Sequence, residues 1–284
     1  MTEVGAVETT RRPALDDEQR QRPAPALRAV PPPQRLDDEK SATGRGSREA
    51  CHEEFIPGHT GATHAGTRLT HHGHVRLEAI TWDRLGERLA DRILDLKPAD
   101  GSPWPRIALD GAPAAQPGEL AQRVGEALRI RGRPSLVVGT EGFLRPASLR
   151  LEYGHHDLEA YYNGWFDTGA LWREVFGPLE PGGDGRVLPD LWDPVTDRAT
   201  RSPYVHLPPG GVLLLHGPLL LRHWFPFDLT VHVLLSEGAL RRRTPEPDHW
   251  TLPAYERYGE ETDPVGTADV LVRADDPRHP AWNG

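Results

Sequence analysis

Five short runs of apolar residues recur along the chain from residue 106 onward. They read RIALD, SLVVG, GVLLLHG, LTVHVLL and ADVLVR, and the segments between them are long enough for crossover helices. Within each run the apolar residues are consecutive rather than alternating with polar ones, which indicates strands that are covered on both faces. We therefore predict an α/β fold with a doubly wound, five-stranded and mainly parallel sheet.

The segment before the first run predicts an amphipathic helix that packs on this core. Its apolar residues recur at helical spacing: Leu85, Leu89, Ile93 and Leu96. Thr81 is suited to cap the start of the helix, and Pro98 follows its end. In such a fold ligands bind at the carboxyl ends of the strands, which is where Gly111, Glu141 and His216 fall.

Residues 1–74 have a different composition from the rest. They are rich in Pro, Arg, Asp, Glu and Gly and contain few large apolar side chains, so we expect a disordered extension followed by one domain over 75–284. An overextended gene start is an alternative explanation of the extension. Its last part holds six histidines that could ligate a metal such as zinc if they folded together: His52, His59, His64, His71, His72 and His74. Their spacing fits no known site well, which favours a solvated tail.

The overall charge narrows the class of partner. A formal charge of -9 and an isoelectric point near 5.9 argue against a general affinity for nucleic acid or for an anionic membrane surface. Cys51 is the only cysteine, which excludes an internal disulfide, and the apolar runs are too short to span a bilayer. We expect a cytoplasmic protein whose partners are small molecules or proteins.

The first apolar run leads into a stretch that is laid out like a phosphate-binding loop, IALDGAPAAQPGELAQRV. Counting G-x-x-x-x-G-K-[ST] from Gly111 puts Gln116 at the second glycine, Pro117 at the lysine and Gly118 at the hydroxyl residue, so the loop is a degenerate Walker A motif. Four backbone amides could still form an anion-binding nest before the next helix, those of Gly111, Ala112, Ala114 and Ala115. The alternative is a strand-turn-helix corner that serves folding only.

The order of motifs over residues 75–284 resembles the uridine kinase-like P-loop proteins, in the variant form common in actinobacteria. The loop above contributes to the resemblance, and the segment TEGFLRPASLRLEYGHHDLEAYYNGWFDTGALWREVFGPLEPGG is its most specific part. The remaining segments that carry it are LWDPVTDR, PPGGVLLLHGPLLLRHW, FDLTVHVLL and ADVLVRADDPRHP. The resemblance implies the fold of a P-loop nucleoside kinase and phosphoryl transfer from ATP or GTP, with Mg²⁺, to a nucleoside-type hydroxyl.

The resemblance also implies roles for acidic positions. Glu141 stands where the family has an aspartate that accepts the proton of the acceptor hydroxyl. His216 stands where the family has an acidic residue that helps to hold magnesium, and imidazole is a poor substitute for a hard oxygen ligand. Asp110, Asp193 and Asp197 are candidate replacements as metal ligands. Asp193 and Asp197 suit turn and capping positions equally well.

An aromatic segment is the candidate acceptor pocket. Aromatic faces could stack on a base, and the carboxylate of Asp167 could bind a ribose or a base edge. The aromatic residues concerned are Tyr161, Tyr162, Trp165 and Phe166. Aromatic residues at this density also suit a core, and Asp167 also suits a helix cap.

Arginines supply the candidate phosphate ligands. Arg145 and Arg150 follow Glu141, and the run Arg241, Arg242 and Arg243 lies after the fourth predicted strand, where kinases of this fold carry a mobile lid. The alternative is that Arg241, Arg242 and Arg243 lie on a solvated helix face and bind no phosphate.

Three hypotheses of function follow. The first is a uridine kinase-like phosphotransferase with a rebuilt phosphate site. The second is a pseudokinase, a binding or regulatory module that holds a nucleotide or a phosphorylated metabolite without turnover. The third is a protein-interaction module without a nucleotide site. We expect magnesium-dependent turnover from the first, binding without turnover from the second, and neither from the third.

Overall fold

The computed structural model describes residues 77–284. The predicted extension, residues 1–74 with its six histidines, lies outside the described residues. Strands and helices then follow one another in this order: β1 (Glu78–Ala79), α1 (Trp82–Leu94), β2 (Arg106–Asp110), α2 (Pro117–Ile130), β3 (Ser135–Gly139), α3 (Ala147–Arg150), α4 (Leu158–Gly164), α5 (Thr168–Leu171), β4 (Arg186–Val187), β5 (Trp192–Asp193), β6 (Arg198–Ala199), β7 (Val205–His206), β8 (Val212–Gly217), β9 (Leu229–Leu234), α6 (Glu237–Arg243), α7 (Leu252–Thr262), α8 (Pro264–Thr267), β10 (Val270–Arg273) and β11 (Ala281–Trp282).

Shorter helical turns connect several of these elements. A π-helical turn covers Trp172–Phe176, and 3₁₀ turns cover Pro113–Ala115, Thr140–Phe143, Gly177–Leu179, Leu220–Arg222 and Glu246–Thr251. The first two 3₁₀ turns follow β2 and β3 directly, at the carboxyl ends of the strands.

The central sheet confirms the predicted fold class. Its strand order is β1-β11-β10-β9-β2-β8-β3, and the five strands from β10 to β3 are parallel. These five are the five apolar runs of the sequence. The two further strands, β1 and β11, are antiparallel additions at one edge; each is two residues long, too short to produce a detectable pattern.

Both faces of the sheet are covered, as the consecutive apolar residues predict. In β8, Val212 and Leu214 belong to the core that α1 and α2 complete on one face, whereas Leu213 and Leu215 belong to a second core on the other face. The predicted first helix is also confirmed, since Thr81 caps α1 by accepting a hydrogen bond from the backbone amide of Arg84 at 3.3 Å. Among residues 77–284 no helix is long and apolar enough to cross a membrane.

A third, smaller apolar cluster joins α4 to α7 beside the sheet. Tyr161 and Tyr162 of α4 pack with Ala254 and Tyr258 of α7 and with Leu219, which follows β8. This packing brings two segments that are about ninety residues apart in sequence to the same side of the strand ends, where they form a wall of the site.

His223 gives the fold a predicted sensitivity to acid. Its ring lies 5.3 Å from that of Phe166 and 5.5 Å from that of Phe225, and burial, with Arg222 assisting and Asp110 opposing, lowers its pKa to about 4. Because the unfolded chain binds this proton below about pH 6.5 and the folded chain does not, stability falls as the pH drops from 6.5 to 4. Urea unfolding between pH 6.5 and pH 4 measures how the free energy of unfolding changes with pH. We expect this slope to be shallower for His223→Phe than for wild type, by at most about 1.4 kcal/mol per pH unit.

His155→Phe is the matched control because it changes an exposed histidine. We expect the control to keep the wild-type slope. Identical slopes for wild type and His223→Phe would contradict the assignment.

Candidate functional site

A cavity of about 580 Å³ lies at the carboxyl ends of β2, β3 and β8, where the sequence predicts a ligand site. Its size suits a ligand of the nucleoside or cofactor class. The residues that line it are Ala112, Pro113, Ala114, Gln116, Pro117, Gly118, Glu119, Thr140, Glu141, Leu144, Tyr161, Trp165, Phe166, His216, Gly217, Pro218, Thr244, Pro245, Asp248, Trp250, Thr251 and Tyr255. We call this cavity the cleft.

The loop after β2 forms the floor of the cleft, and some of its backbone amides already donate hydrogen bonds within the protein. The amide of Gly111 donates to Gly217 O at 3.1 Å, and the amide of Ala115 donates to Ala112 O at 2.8 Å, which closes the 3₁₀ turn. Pro113 and Pro117 have no amide hydrogen. Of the four amides in the predicted nest, two therefore already have acceptors within the protein. Ala114 lines the cleft, whereas Gly111 and Ala115 do not.

Gly118, which the sequence predicts to stand in place of the loop hydroxyl residue, is closely approached by a side chain from β8. A Cβ atom placed on Gly118 would lie 2.9 Å from Cε1 of His216, closer than real Cβ contacts come, and 3.1 Å from its Nδ1. The imidazole therefore occupies the space into which a serine or threonine side chain at position 118 would extend. Gly118 of α2 and His216 of β8 are thus complementary in shape.

His216 also faces the predicted acceptor base. Its Nε2 lies 3.8 Å from Oε1 of Glu141, whose side chain is 64% exposed, because β8 and β3 pair with His216 opposite Gly139 and the turn after β3 carries Glu141. Burial lowers the pKa of His216, although the Glu141 carboxylate opposes the shift. The imidazole is thus mainly neutral near pH 7 and does not supply the missing lysine charge.

Asp110, the predicted metal ligand, is fully buried and makes three hydrogen bonds. Its Oδ1 accepts from the amide of Leu220 at 2.8 Å, and its Oδ2 accepts from the hydroxyl of Tyr258 at 3.0 Å and from Nδ1 of His232 at 2.6 Å. Both oxygens are therefore occupied by protein donors, and Asp110 does not line the cleft. This geometry disfavours the role of metal ligand.

Asp193 and Asp197 take the turn positions that the sequence allows. Asp193 accepts from the amide of Val195 and the hydroxyl of Thr196, and Asp197 accepts from the amide of Ala147 and from Nε1 of Trp192. Neither residue lines the cleft.

Aromatic rings form the wall opposite the loop. Tyr161 and Trp165 come from the predicted acceptor segment, and Trp250 and Tyr255 come from the segment before and within α7. Ring centroids are 5.2 Å apart for Tyr161 and Trp165, 5.4 Å for Tyr161 and Trp250, and 5.6 Å for Trp165 and Trp250. We call these four residues the aromatic wall.

Two other residues of the predicted acceptor pocket lie elsewhere. The guanidinium groups of Arg222 and Arg257 lie 3.9 and 4.2 Å from the centroid of the Tyr162 ring. Asp167 caps α5 by accepting a hydrogen bond from the amide of Ala170 at 2.8 Å. Neither Tyr162 nor Asp167 lines the cleft.

The predicted arginine ligands do not line the cleft. Arg145 follows the 3₁₀ turn of Glu141 and donates its amide to Trp165 O at 3.1 Å. Arg241 and Arg242 are exposed on α6, which contacts the 3₁₀ turn of the loop. Arg243 donates to the carbonyl groups of Ala274 and Asp275 and is fixed there.

The charged side chains that line the cleft are therefore carboxylates. They belong to Glu119, Glu141 and Asp248, and within the described part of the chain no lysine or arginine lines the cleft. This composition repels polyanions and favours neutral or positively charged ligands.

Sequence reasoning missed the contribution of Asp248, Trp250 and Tyr255. Two aromatic residues close behind an acidic one in TPEPDHWTLPAYERY were a weak signal. Nothing in the sequence spacing indicates that they meet Tyr161 and Trp165, because that contact depends on the docking of α7 against α4.

Comparison with solved structures assigns the fold. A structure described as a possible uridine kinase from Bacillus stearothermophilus is 22% identical, with a TM-score of 0.54 over 66% of this chain and 97% of that chain. A Silicibacter sp. TM1040 protein provisionally described as a fructose transport system kinase is 22% identical, with a TM-score of 0.47 over 66% of this chain and 91% of that one. No protein-family model and no curated protein matches the sequence. The chain thus shares the fold of the structure described as a possible uridine kinase.

The residues present do not fit the magnesium triphosphate that the sequence resemblance implies. An imidazole lies against Gly118 where a side chain at position 118 would extend, two loop amides are already used, and among residues 77–284 no lysine or arginine lines the cleft. Phosphates need cations or free amides, and the described residues contain no group of three His, Cys, Asp or Glu side chains placed to hold a metal ion.

Proposed function

We propose that the protein is a binding module on the kinase fold, a pseudokinase that holds a small nucleoside-type molecule in the cleft without phosphoryl transfer. The observation that carries the proposal is the packing of His216 against Gly118. Loss of one transition-state donor alone typically costs a factor of about 10² to 10³ in rate. Here a hydroxyl, a lysine and a strand-end acid are replaced together, at positions 118, 117 and 216.

The charge of the cleft supports the same proposal. A triphosphate would approach Glu119, Glu141 and Asp248, and among residues 77–284 no cationic arginine or lysine lines the cleft to offset that repulsion. The aromatic wall, in contrast, offers apolar surface on which a base or another planar group can stack. These contacts therefore support a ligand on the aromatic side of the cleft more than a phosphate on the loop side.

A uridine kinase-like phosphotransferase remains the second candidate, and Glu141 is the observation in its favour. Its carboxylate is exposed at the cleft and could accept a hydroxyl proton. In this candidate, Arg241 and Arg242 of α6 move onto the phosphates of ATP or GTP, because α6 contacts the loop turn. The candidate requires magnesium-dependent turnover.

Thermal unfolding of the full chain tests the proposal. We expect uridine or another nucleoside to raise the unfolding temperature, and we expect ATP or GTP with magnesium to leave it unchanged. A ligand at about one hundred times its dissociation constant stabilises the folded state by about 2.7 kcal/mol, which such a measurement detects readily.

Two tryptophan variants locate the binding. Trp250→Ala changes the aromatic wall and should abolish the shift with the nucleoside, whereas Trp224→Ala changes a tryptophan that is 96% exposed outside the cleft and should preserve it. A magnesium-dependent shift with ATP or GTP, together with transfer of the γ-phosphate, would favour the second candidate. No shift with any of these ligands would favour the protein-interaction module.

A further inference from the structure

The four rings of the aromatic wall indicate which class of ligand the cleft accepts. Four aromatic side chains from two segments converge on one wall of a cavity of about 580 Å³, and their ring centroids are 5.2 to 6.3 Å apart. Aromatic faces carry negative potential and attract a cation that lies within about 6 Å of the ring centroid. Clustered rings of this kind bind ammonium groups better than a single ring does.

The protein already uses one of these rings in this way. The guanidinium of Arg150 lies 5.0 Å from the centroid of Trp165, and Arg150 does not line the cleft. His156, which is exposed, lies 5.4 Å from Trp250 and is likewise outside the lining. On the cleft side, Trp165 and Trp250 meet each other and Tyr161 in edge-on arrangements.

The two tyrosines of the wall add a hydrogen-bond donor. Their hydroxyl groups are 2.6 Å apart and share one hydrogen bond, so within the described residues one of their two protons has no acceptor. Burial raises the pKa of Tyr161 to about 12 and that of Tyr255 well above its usual value, and the nearby Asp248 carboxylate adds to both shifts. The hydroxyl groups therefore stay protonated, and one of them can donate to a ligand oxygen.

Asp248 is placed to balance a positive charge. It is exposed at the rim of the cleft, and no hydrogen bond or ion pair engages its carboxylate within residues 77–284. Glu141 lies on the loop side of the cleft, 3.8 Å from the imidazole of His216. Carboxylates from two separate 3₁₀ turns thus line a cleft whose lining contains no lysine or arginine in the described part of the chain.

We propose that the cleft binds an organic cation, a small molecule with an ammonium group that lies against the aromatic wall and is balanced by Asp248 and Glu141. The inference rests on the proposed function, because it assigns a ligand class to the same cleft. It differs from the acceptor chemistry of a nucleoside kinase in requiring positive charge. A hydroxyl or carbonyl oxygen on the cation would accept the unused tyrosine proton.

Choline and its uncharged isostere 3,3-dimethylbutan-1-ol separate charge from shape. Titration of the full chain, followed by tryptophan fluorescence, should show choline binding about tenfold or more tightly than the isostere. Tetramethylammonium and benzyltrimethylammonium serve as further cations of different size. Choline binding should weaken as the salt concentration rises, because exposed charges are screened.

Matched variants identify the groups responsible. Asp248→Asn should weaken choline binding about three- to thirty-fold, whereas Glu246→Gln, which changes an exposed carboxylate of the same 3₁₀ turn outside the lining, should leave it unchanged. Trp250→Ala should cause at least as large a loss, and circular dichroism of each variant checks that it folds.

The outcomes distinguish this inference from the proposed function. Binding of uridine but of none of the cations at millimolar concentration, or equal binding of choline and its isostere, would overturn the inference and leave the proposed function intact. Stabilisation by magnesium ATP, without binding of either uridine or a cation, would overturn both. Binding of none of these ligands would also overturn both.

Discussion

Replacing Asp110 with asparagine is expected to lower the free energy of unfolding by about 3–5 kcal/mol. The carboxylate is fully buried and accepts hydrogen bonds from Leu220, Tyr258 and His232. An amide at this position would present a hydrogen-bond donor to at least one of these donors, and the buried group left without a partner would carry the full cost of its desolvation. Urea unfolding at neutral pH measures the loss.

The size of this effect follows from what the network connects. Asp110 ends β2, His232 lies opposite it in β9, and Tyr258 belongs to α7. Burial and the Asp110 carboxylate raise the pKa of the Tyr258 hydroxyl, which therefore remains a donor. Asp110→Asn should for this reason also loosen α7 and with it the aromatic wall.

Asp193→Asn is the control, because Asp193 is an aspartate at the end of a strand on the surface. We expect a loss below about 1 kcal/mol for it. A double-mutant cycle of Asp110→Asn with Tyr258→Phe should give strong coupling, since both changes affect one hydrogen bond. A loss for Asp110→Asn as small as that of the control would contradict a role for the network in stability.

Restoring the phosphate loop is expected to fail unless His216 is changed as well. The triple variant Gln116→Gly, Pro117→Lys and Gly118→Ser recreates the P-loop motif in sequence. Its new serine Cβ would lie 2.9 Å from the imidazole, so we expect a stability loss of about 1–3 kcal/mol from overpacking and no stabilisation by magnesium ATP.

Adding His216→Asp to the triple variant removes the obstruction and supplies a carboxylate. For this quadruple variant we expect magnesium ATP, at about one hundred times its dissociation constant, to stabilise the protein by about 2.7 kcal/mol. Thermal unfolding with and without magnesium measures the difference. The matched control replaces Pro117 with methionine instead of lysine in the quadruple variant, and it should show a much smaller shift.

The comparison between the triple and quadruple variants decides the role of His216. Equal stabilisation of both by magnesium ATP would mean that the imidazole does not block the site. Stabilisation of the wild type by magnesium ATP would mean that the native loop is already sufficient.

The sheet could be predicted because its information is local. Each of the five parallel strands consists of consecutive apolar residues, and burial on both faces, as for Leu213 and Leu214, produces that pattern directly. The cap of α1 by Thr81 is local for the same reason. The strands β1 and β11 escaped prediction because two residues carry no periodicity and their pairing joins the two ends of the described part.

The site could be predicted only in part. The resemblance predicts Gly118 and His216 as replacements, but their contact joins α2 to β8 and depends on the three-dimensional fold. The sequence predicts Asp110, which precedes the loop glycine, as a candidate metal ligand, whereas its partners His232 and Tyr258 lie more than one hundred residues away. A sequence pattern cannot show whether such a carboxylate faces the cleft or the core.

The pairing of β1 with β11 has a practical consequence for studying the cleft. Glu78 lies opposite Trp282, so the described part of the chain starts and finishes at one edge of the sheet, and β10 and β9 lie between that edge and β2, the first of the three cleft strands. A tether attached at Gly284 would therefore lie at an edge of the sheet that carries none of these three strands. Immobilising the protein through this end should leave the cleft open to ligands in solution, so that binding can be followed on a sensor surface.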